Sequence, residues 1–220
     1  MPAREGTTAD SLRDRILDAA LACAARDGWA GTSLAAVARE ADVSLLDLYG
    51  RFRSRPAIVA GLIDRVDRQV LAEGPADTDD TSPRDRLFEV MMRRFDALQP
   101  QRDGVTALAW DLLRDPLSLA CTAPRLMRSM TWMLEAAGIP ATGPCGHLRA
   151  KGLALVHAQT FRAWARDDSP DMAGTMAALD KALMRAEGLA GLCGGRRRAA
   201  DDDGPAPEPD LSAGEAPAPS

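Results

Sequence analysis

Thr32-Ser33 and Ser44 each stand just before a short apolar run, and three arginines, Arg51, Arg53 and Arg55, follow on alternate positions. A Ser or Thr ahead of a helix accepts hydrogen bonds from the first free N–H groups of that helix. Hydroxyls and arginines are also the groups that hold a nucleic-acid phosphate. The chemistry open to this cluster is recognition of a polyanion rather than the making or breaking of bonds. Groups suited to catalysis are thinly spread. His147 and His157 are the only histidines, and Cys23, Cys121, Cys145 and Cys193 include no pair at zinc-site spacing. There is no nucleophile beside a base in a recognisable motif, no glycine-rich phosphate loop and no carboxylate pair on a known scaffold. The sequence predicts no enzyme, no metal and no cofactor.

Composition agrees. A net charge of −5 over 220 residues argues against nonspecific coating of nucleic acid, which rests on counterion displacement by many cations. It leaves room for a local cationic surface. No run of ~18 uninterrupted apolar residues is present, and the opening MPAREGTTADSLRDR is too polar for a signal peptide. A cytoplasmic protein is expected.

Around the cluster, the three-and-four spacing of Leu12, Ile16, Leu17, Ala20, Leu21 and Ala24 predicts a helix, started at Asp10 or Ser11 and ended by Gly28. Ser33 to Ala41 predicts a second, with Val37 and Ala38 inward. A three-residue turn, Ala41-Asp42-Val43, follows, centred on a residue that tolerates left-handed backbone. Ser44 caps a third helix, with Asp47 completing a capping-box pair and Leu48 and Phe52 facing the core with Val43. The arrangement of Ser33 to Phe52 predicts a helix-turn-helix, the second of its helices lying in a DNA major groove. A fourth helix starts near Pro56 and ends near Gly74. Beyond GPADTDDTSPRD, five further helices are predicted over 84–98, 103–114, 117–137, 145–166 and 170–189. No segment alternates like a strand. The fold class is all-α with about nine helices, divided into a helix-turn-helix domain (1–55), a connecting helix (56–73), a linker (74–83), a helical domain (84–192) and a disordered Pro, Ala and acid-rich tail (193–220).

The run from Ile16 to Leu62 resembles the DNA-binding domain of the TetR family of bacterial transcriptional regulators. Its carriers are Gly28-Trp29, Thr32-Ser33, Val37-Ala38, Val43-Ser44, Leu48-Tyr49, Phe52 and Ser54-Arg55. The resemblance implies phosphate contacts from Thr32, Ser33, Tyr49 and Arg55 and a groove face formed by Ser44, Leu45, Leu46, Asp47 and Gly50, with Arg51 adding charge. The chain departs from the family pattern at Leu45, Leu46 and Asp47, where Lys, Gly and Thr or Ala are usual, and at Gly50, where an aromatic or His is usual. Leucines can reach only thymine methyl groups, so base reading through this helix is expected to be sparse.

For the remainder, the resemblance implies a dimer formed through the last two helices and a pocket for a small hydrophobic effector. Leu153, Val156, Thr160, Phe161 and Trp164 with Met172, Met176, Leu179 and Leu183 form two apolar stripes that suit half of a four-helix bundle. They are the expected homodimer interface. Trp110, Met127, Met130, Met133 and His157 are the expected pocket residues. The stretch from Trp164 to Met172, continued by Thr175 to Leu179, is also similar to a TetR-fold lipid-binding protein of ubiquinone biosynthesis. Two functions therefore stand. One is a ligand-responsive repressor that binds a palindromic double-stranded DNA operator as a homodimer. The other is a lipid- or isoprenoid-binding accessory protein without an operator.

Overall fold

The computed structural model describes residues 3–76 and 81–201. Within them lie nine α-helices and one 3-10 turn, with no strand. They are α1 (Ala3–Asp27), α2 (Leu34–Glu40), α3 (Leu45–Arg51), α4 (Arg55–Ala72), α5 (Pro83–Leu98), the 3-10 turn Gln99–Gln101, α6 (Arg102–Arg114), α7 (Pro116–Ala136), α8 (Gly143–Trp164) and α9 (Ala173–Asp201).

Two boundaries differ from the sequence expectation. Helix α1 begins at Ala3, ahead of Asp10. Helix α9 continues through Asp201, because the Arg and Ala residues after Gly195 favour helix and nothing in them terminates it. The first part of the expected tail is therefore helical, and 202–220 lies outside the described residues, as does 77–80 of the expected linker.

The apolar side chains gather into two cores. The first holds Ile16, Leu17, Ala20 and Leu21 of α1, Val37 and Ala38 of α2, Leu48 and Phe52, Ile58 and Leu62 of α4, and also Leu108 of α6. The second holds Val90, Met91 and Phe95 of α5, Met130, Met133 and Leu134 of α7, and the inward faces of α8 and α9. Helix α4 passes from one to the other, with Ile58 in the first and Val70 in the second. Fully burying each such aliphatic side chain contributes roughly 1.5–3 kcal/mol.

Helix α6 is seated directly on α1. A Cβ built on Gly104 would stand 2.4 Å from the carbonyl oxygen of Leu21, so only glycine permits this approach. Farther along α6, Asp111 Oδ2 accepts a 2.8 Å hydrogen bond from the Ala30 N–H in the loop after α1. That loop begins at Gly28, whose φ of +74° ends α1 in the left-handed conformation that glycine adopts most readily.

Candidate nucleic-acid interface

Each short helix of the 33–52 unit is held by its own cap. The Ser33 Oγ accepts from Ala36 N at 3.1 Å to start α2. At α3, Asp47 N donates to Ser44 Oγ (3.0 Å), while Ser44 N (3.3 Å) and Ser44 Oγ (2.6 Å) both donate to Asp47 Oδ2. This is the reciprocal capping box expected from Ser44 and Asp47. Between the helices, Asp42 has φ +52°, and the N–H of Val43 closes back on the carbonyl of Ala38 at 3.0 Å. The Arg15 guanidinium, reaching from α1, donates to the Ala41 and Asp42 carbonyls at 2.7 and 3.1 Å. A helix of seven residues has little stability alone. Caps, clamp and the buried Val37, Leu48 and Phe52 fix the angle at which α3 is presented.

With Leu48 turned inward, α3 shows solvent a surface of Leu45, Leu46 and Tyr49, exposed to 57%, 78% and 57%. Arg53 stacks over the Tyr49 ring at 5.6 Å, and Arg51 is exposed. Gly50 faces open space, with nothing within 4 Å of an added Cβ. This is a narrow apolar ridge edged by cations.

Three residues expected at this surface are occupied in other ways. Thr32 is buried, its hydroxyl donating to the Gly28 carbonyl at 2.7 Å and its N–H to the Trp29 carbonyl at 3.2 Å. It locks the loop and has no donor to offer a phosphate. Arg55 lies 4.8 Å over the Trp29 ring and donates to the Trp29 carbonyl, tying α4 to that loop. Asp47 uses its carboxylate on the cap. Ser33 and Ser44 are exposed caps whose hydroxyls already serve helix N–H groups.

Arg39 was not picked out from the sequence. It lies exposed in the last turn of α2, beside an open groove formed with Leu12, Arg15, Asp42 and Ser44. Its position immediately after the inward pair Val37-Ala38 is the signal that marks it as outward-facing.

The expected interface stripe falls elsewhere. Leu153, Val156, Thr160 and Trp164 of α8 and Met172, Leu179 and Leu183 are buried in this chain's own second core, while Phe161 and Met176 are half-buried. Residues already covered within one chain have no surface left for another. The stripe is corrected to an intramolecular one, closed by α8 packing on α9 and by Trp164 Nε1 donating to Gln99 Oε1 at 2.7 Å. The outward faces of the same two helices carry Leu148, Leu155 and Met184, each more than half exposed.

Of the expected pocket residues, Met130 and Met133 are wholly buried core, Met127 packs against that core, and Trp110 is half-buried. His157 borders a cavity of about 120 Å3 lying between the two cores. Beside it is a charge cluster that the sequence reading did not single out. Arg94 Nη1 donates to Asp67 Oδ1 at 2.6 Å, and Ser129 Oγ donates to the same oxygen at 2.6 Å, all three residues being buried. Helical phase could have found it, since Asp67 follows Ile63 by four residues and Arg94 follows Met91 by three, on the apolar side of each helix. Burial pulls the Arg94 pKa below its usual value against the pull of Asp67. Burial, aided by the Arg94 charge, lowers His157 to about 3, so its ring is neutral at physiological pH. No helix among the described residues is long and apolar enough to cross a membrane, and no group of three or more potential metal ligands occurs among them.

Residues 16–62 match the family model described as bacterial regulatory proteins, tetR family. Among solved structures, a TetR transcriptional regulator from Nitrosomonas europaea superposes with a TM-score of 0.64 at 26% identity, over 80% of this chain and 98% of that one. A TetR transcriptional regulator from Rhodococcus sp. RHA1 gives 0.60 at 21% identity, over 80% and 96%. The multidrug binding protein EbrR, complexed with imidazole, gives 0.52 at 25% identity, over 79% and 88%. No curated protein matches the chain.

Proposed function

We propose that this chain, whose residues 16–62 match the tetR-family model and whose all-helical frame is similar to those of TetR transcriptional regulators, is a DNA-binding transcriptional regulator, a ligand-responsive repressor that reads a palindromic operator as a homodimer. The observation that carries the reading is the exposed ridge of Leu45, Leu46 and Tyr49 on a helix whose caps and turn are fully engaged. Such a ridge is left more than half exposed by the rest of the chain, and an α-helix is an element the major groove admits.

One seven-residue helix reaches few base pairs, so specificity calls for two copies related by a two-fold axis, one groove turn apart. The outward faces of α8 and α9, with Leu148, Leu155 and Met184, supply the apolar surface for that pairing in place of the buried stripe. Arg39, Arg51 and Arg53 provide the phosphate contacts, and Leu45 and Leu46 meet thymine methyl groups. A hydrophobic effector is supported by the multidrug binding protein that shares the fold and by the cavity at the joint of the two cores. Working on DNA, the protein acts in the cytoplasm. An isoprenoid-binding accessory role gains no support from a cavity of about 120 Å3, well below the roughly 300 Å3 at which drug-sized ligand sites begin.

Selection from random duplex libraries tests the reading. Enrichment of an inverted repeat is expected, with binding that falls steeply with salt. A parallel library with uracil in place of thymine should lose several-fold in affinity, since only the methyl groups differ. Failure to enrich any sequence would sink the repressor reading, and equal binding of the uracil library would remove the leucine contacts from it.

A further inference from the structure

Helix α7 has one face that the described residues leave uncovered. Along it stand Leu117, Ala120, Cys121, Pro124, Arg128 and Trp132, all exposed, with Leu117 open to 75% and Trp132 to 51%. Steps of three and four residues set them on a single line, while Ser129, Met130, Met133 and Leu134 turn to the interior. Neither the reading head nor the outward faces of α8 and α9 use any of these six. Trp and Arg are the residue types that carry most of the binding energy at protein interfaces, and an apolar line left in water gains by being covered.

The order of residues along the line indicates what covers it. A two-fold axis passing between Pro124 and Arg125 sets Leu117 opposite Trp132 of a second copy and Cys121 opposite Arg128 of that copy, and each pairing then occurs twice. This is the self-matching pattern that a two-fold contact requires. Charge fixes the direction. Arg128 is the one charge on the line between Leu117 and Trp132. Parallel helices would set it against its own equivalent, whereas antiparallel helices set it against a neutral thiol. Area fixes the strength. The line runs for about 22 Å and is one helix wide, so two copies cover on the order of 500 Å2, short of the ~1,000 Å2 of a stable interface. Such a contact forms between copies that are concentrated or already held near each other.

We propose that the outward line of α7 is a self-association surface on which a second copy of this chain packs antiparallel, joining two DNA segments. The pairing stands on α7 alone, and the role at DNA rests on the DNA-binding reading. Helix α7 runs beside α4 in the same direction, with Arg125 donating to Asp64, Ser129 to Asp67, and the Ala76 N–H to the Ala136 carbonyl. It therefore starts near the reading head, where Asp115 feels the charge of Arg55, and ends at the far side of the second core. Antiparallel α7 helices place the two heads at opposite ends of the pair. The copies so joined face two separate stretches of duplex, not neighbouring sites on one.

Sedimentation of the full chain without DNA reads the contact directly. The wild type should gain a species of twice the mass as concentration rises, half-formed at roughly 100 µM. Leu117→Glu or Trp132→Lys alone should weaken that step about tenfold or more. Cys121→Arg, which opposes like charges across the axis, should do the same and serves if either of those does not fold. Leu117→Glu combined with Trp132→Lys should recover most of the loss, because Glu then meets Lys twice. Within one chain the two positions lie about 22 Å apart, so the recovery reports contact between copies. The proposal is overturned by a mass independent of concentration, by single variants that associate as the wild type does, or by a double variant no better than the singles. Cosedimentation with anionic phospholipid vesicles, lost in Trp132→Lys and unaccompanied by self-association, would assign the line to a lipid surface and overturn it as well. Joining of DNA is scored by capture of a free duplex, bearing the selected inverted repeat, on beads that hold the same duplex. Capture by the wild type that Trp132→Lys abolishes supports the proposal, and self-association without capture overturns the joining of DNA. Failure to select any sequence removes the DNA-binding reading, and sedimentation then decides the surface by itself.

Discussion

The recognition helix and the joint between the cores depart from the ordinary burial rule in opposite directions. On α3, Leu45 and Leu46 stand in water; at the joint, Arg94, Asp67 and His157 lie out of it. Exposed leucines cost the folded chain little, because they are solvated in the unfolded chain as well, and their value is realised only when a partner covers them. A buried ion pair is a standing cost of the fold, offset only while every member remains in place. The first departure is a surface waiting for a partner, and the second is a constraint on how the two halves of the molecule meet. They should therefore respond very differently to mutation.

The largest effect is expected from Asp67→Ala, which strands Arg94 in the core and should lower unfolding free energy by about 3–5 kcal/mol in a denaturant titration. The double change Asp67→Leu with Arg94→Met should regain much of that loss; if it does not, the pair contributes more than charge balance. Next is acidification. In an unfolded chain His157 takes up a proton near pH 6.5, whereas the fold, through burial first and Arg94 second, delays protonation to about pH 3. Between those values the unfolded state holds the extra proton, so stability falls as pH drops, by about 1.4 kcal/mol per unit. From pH 7 to 5 the wild type should lose about 2 kcal/mol more than His157→Phe does; equal losses would show that the ring is accessible to protons in the fold.

Ser44→Ala removes the hydroxyl at the centre of the capping box and should cost about 1 kcal/mol, measured by the same titration, with weakened operator binding as α3 frays. Smallest on stability is Leu46→Ser, expected within about 0.5 kcal/mol of wild type while thymine preference declines. A large destabilisation by Leu46→Ser would mean that the ridge packs within the protein and would erase the contrast with the joint.

Much of the frame was legible because its signals are local. Ser44 and Asp47 are three residues apart and bond each other, Asp42 sits where left-handed backbone is needed, and Val37, Leu48 and Phe52 have the phase of an inward face. What eluded the sequence depends on neighbours distant along the chain. Thr32 has the same hydroxyl whether it meets a phosphate or the Gly28 carbonyl, and only the path of the loop decides. Helix α8 carries apolar residues on two faces, and periodicity cannot say which of them its own chain covers; the stripe with Leu153 and Val156 turns inward and the one with Leu148 and Leu155 turns out. The Arg94–Asp67 pair left a trace in helical phase, but recognising it requires knowing that α4 and α5 face each other.

The seat of α6 on α1 has a consequence for how such a regulator can be recombined. The first core is closed by Leu108, which lies beyond the whole of α5 in sequence, and Gly104 fits against Leu21 only because each has the shape that the other requires. The reading head is thus discontinuous along the gene. A single crossover in the Pro- and Asp-rich segment after Gly74 would import a head without the helix that completes it, exposing Leu21 and Leu62 to a foreign surface. A productive exchange needs two crossovers, one carrying residues up to α4 and the other carrying α6, so inheritance of DNA specificity in this architecture is tied to a helix outside the 33–52 unit.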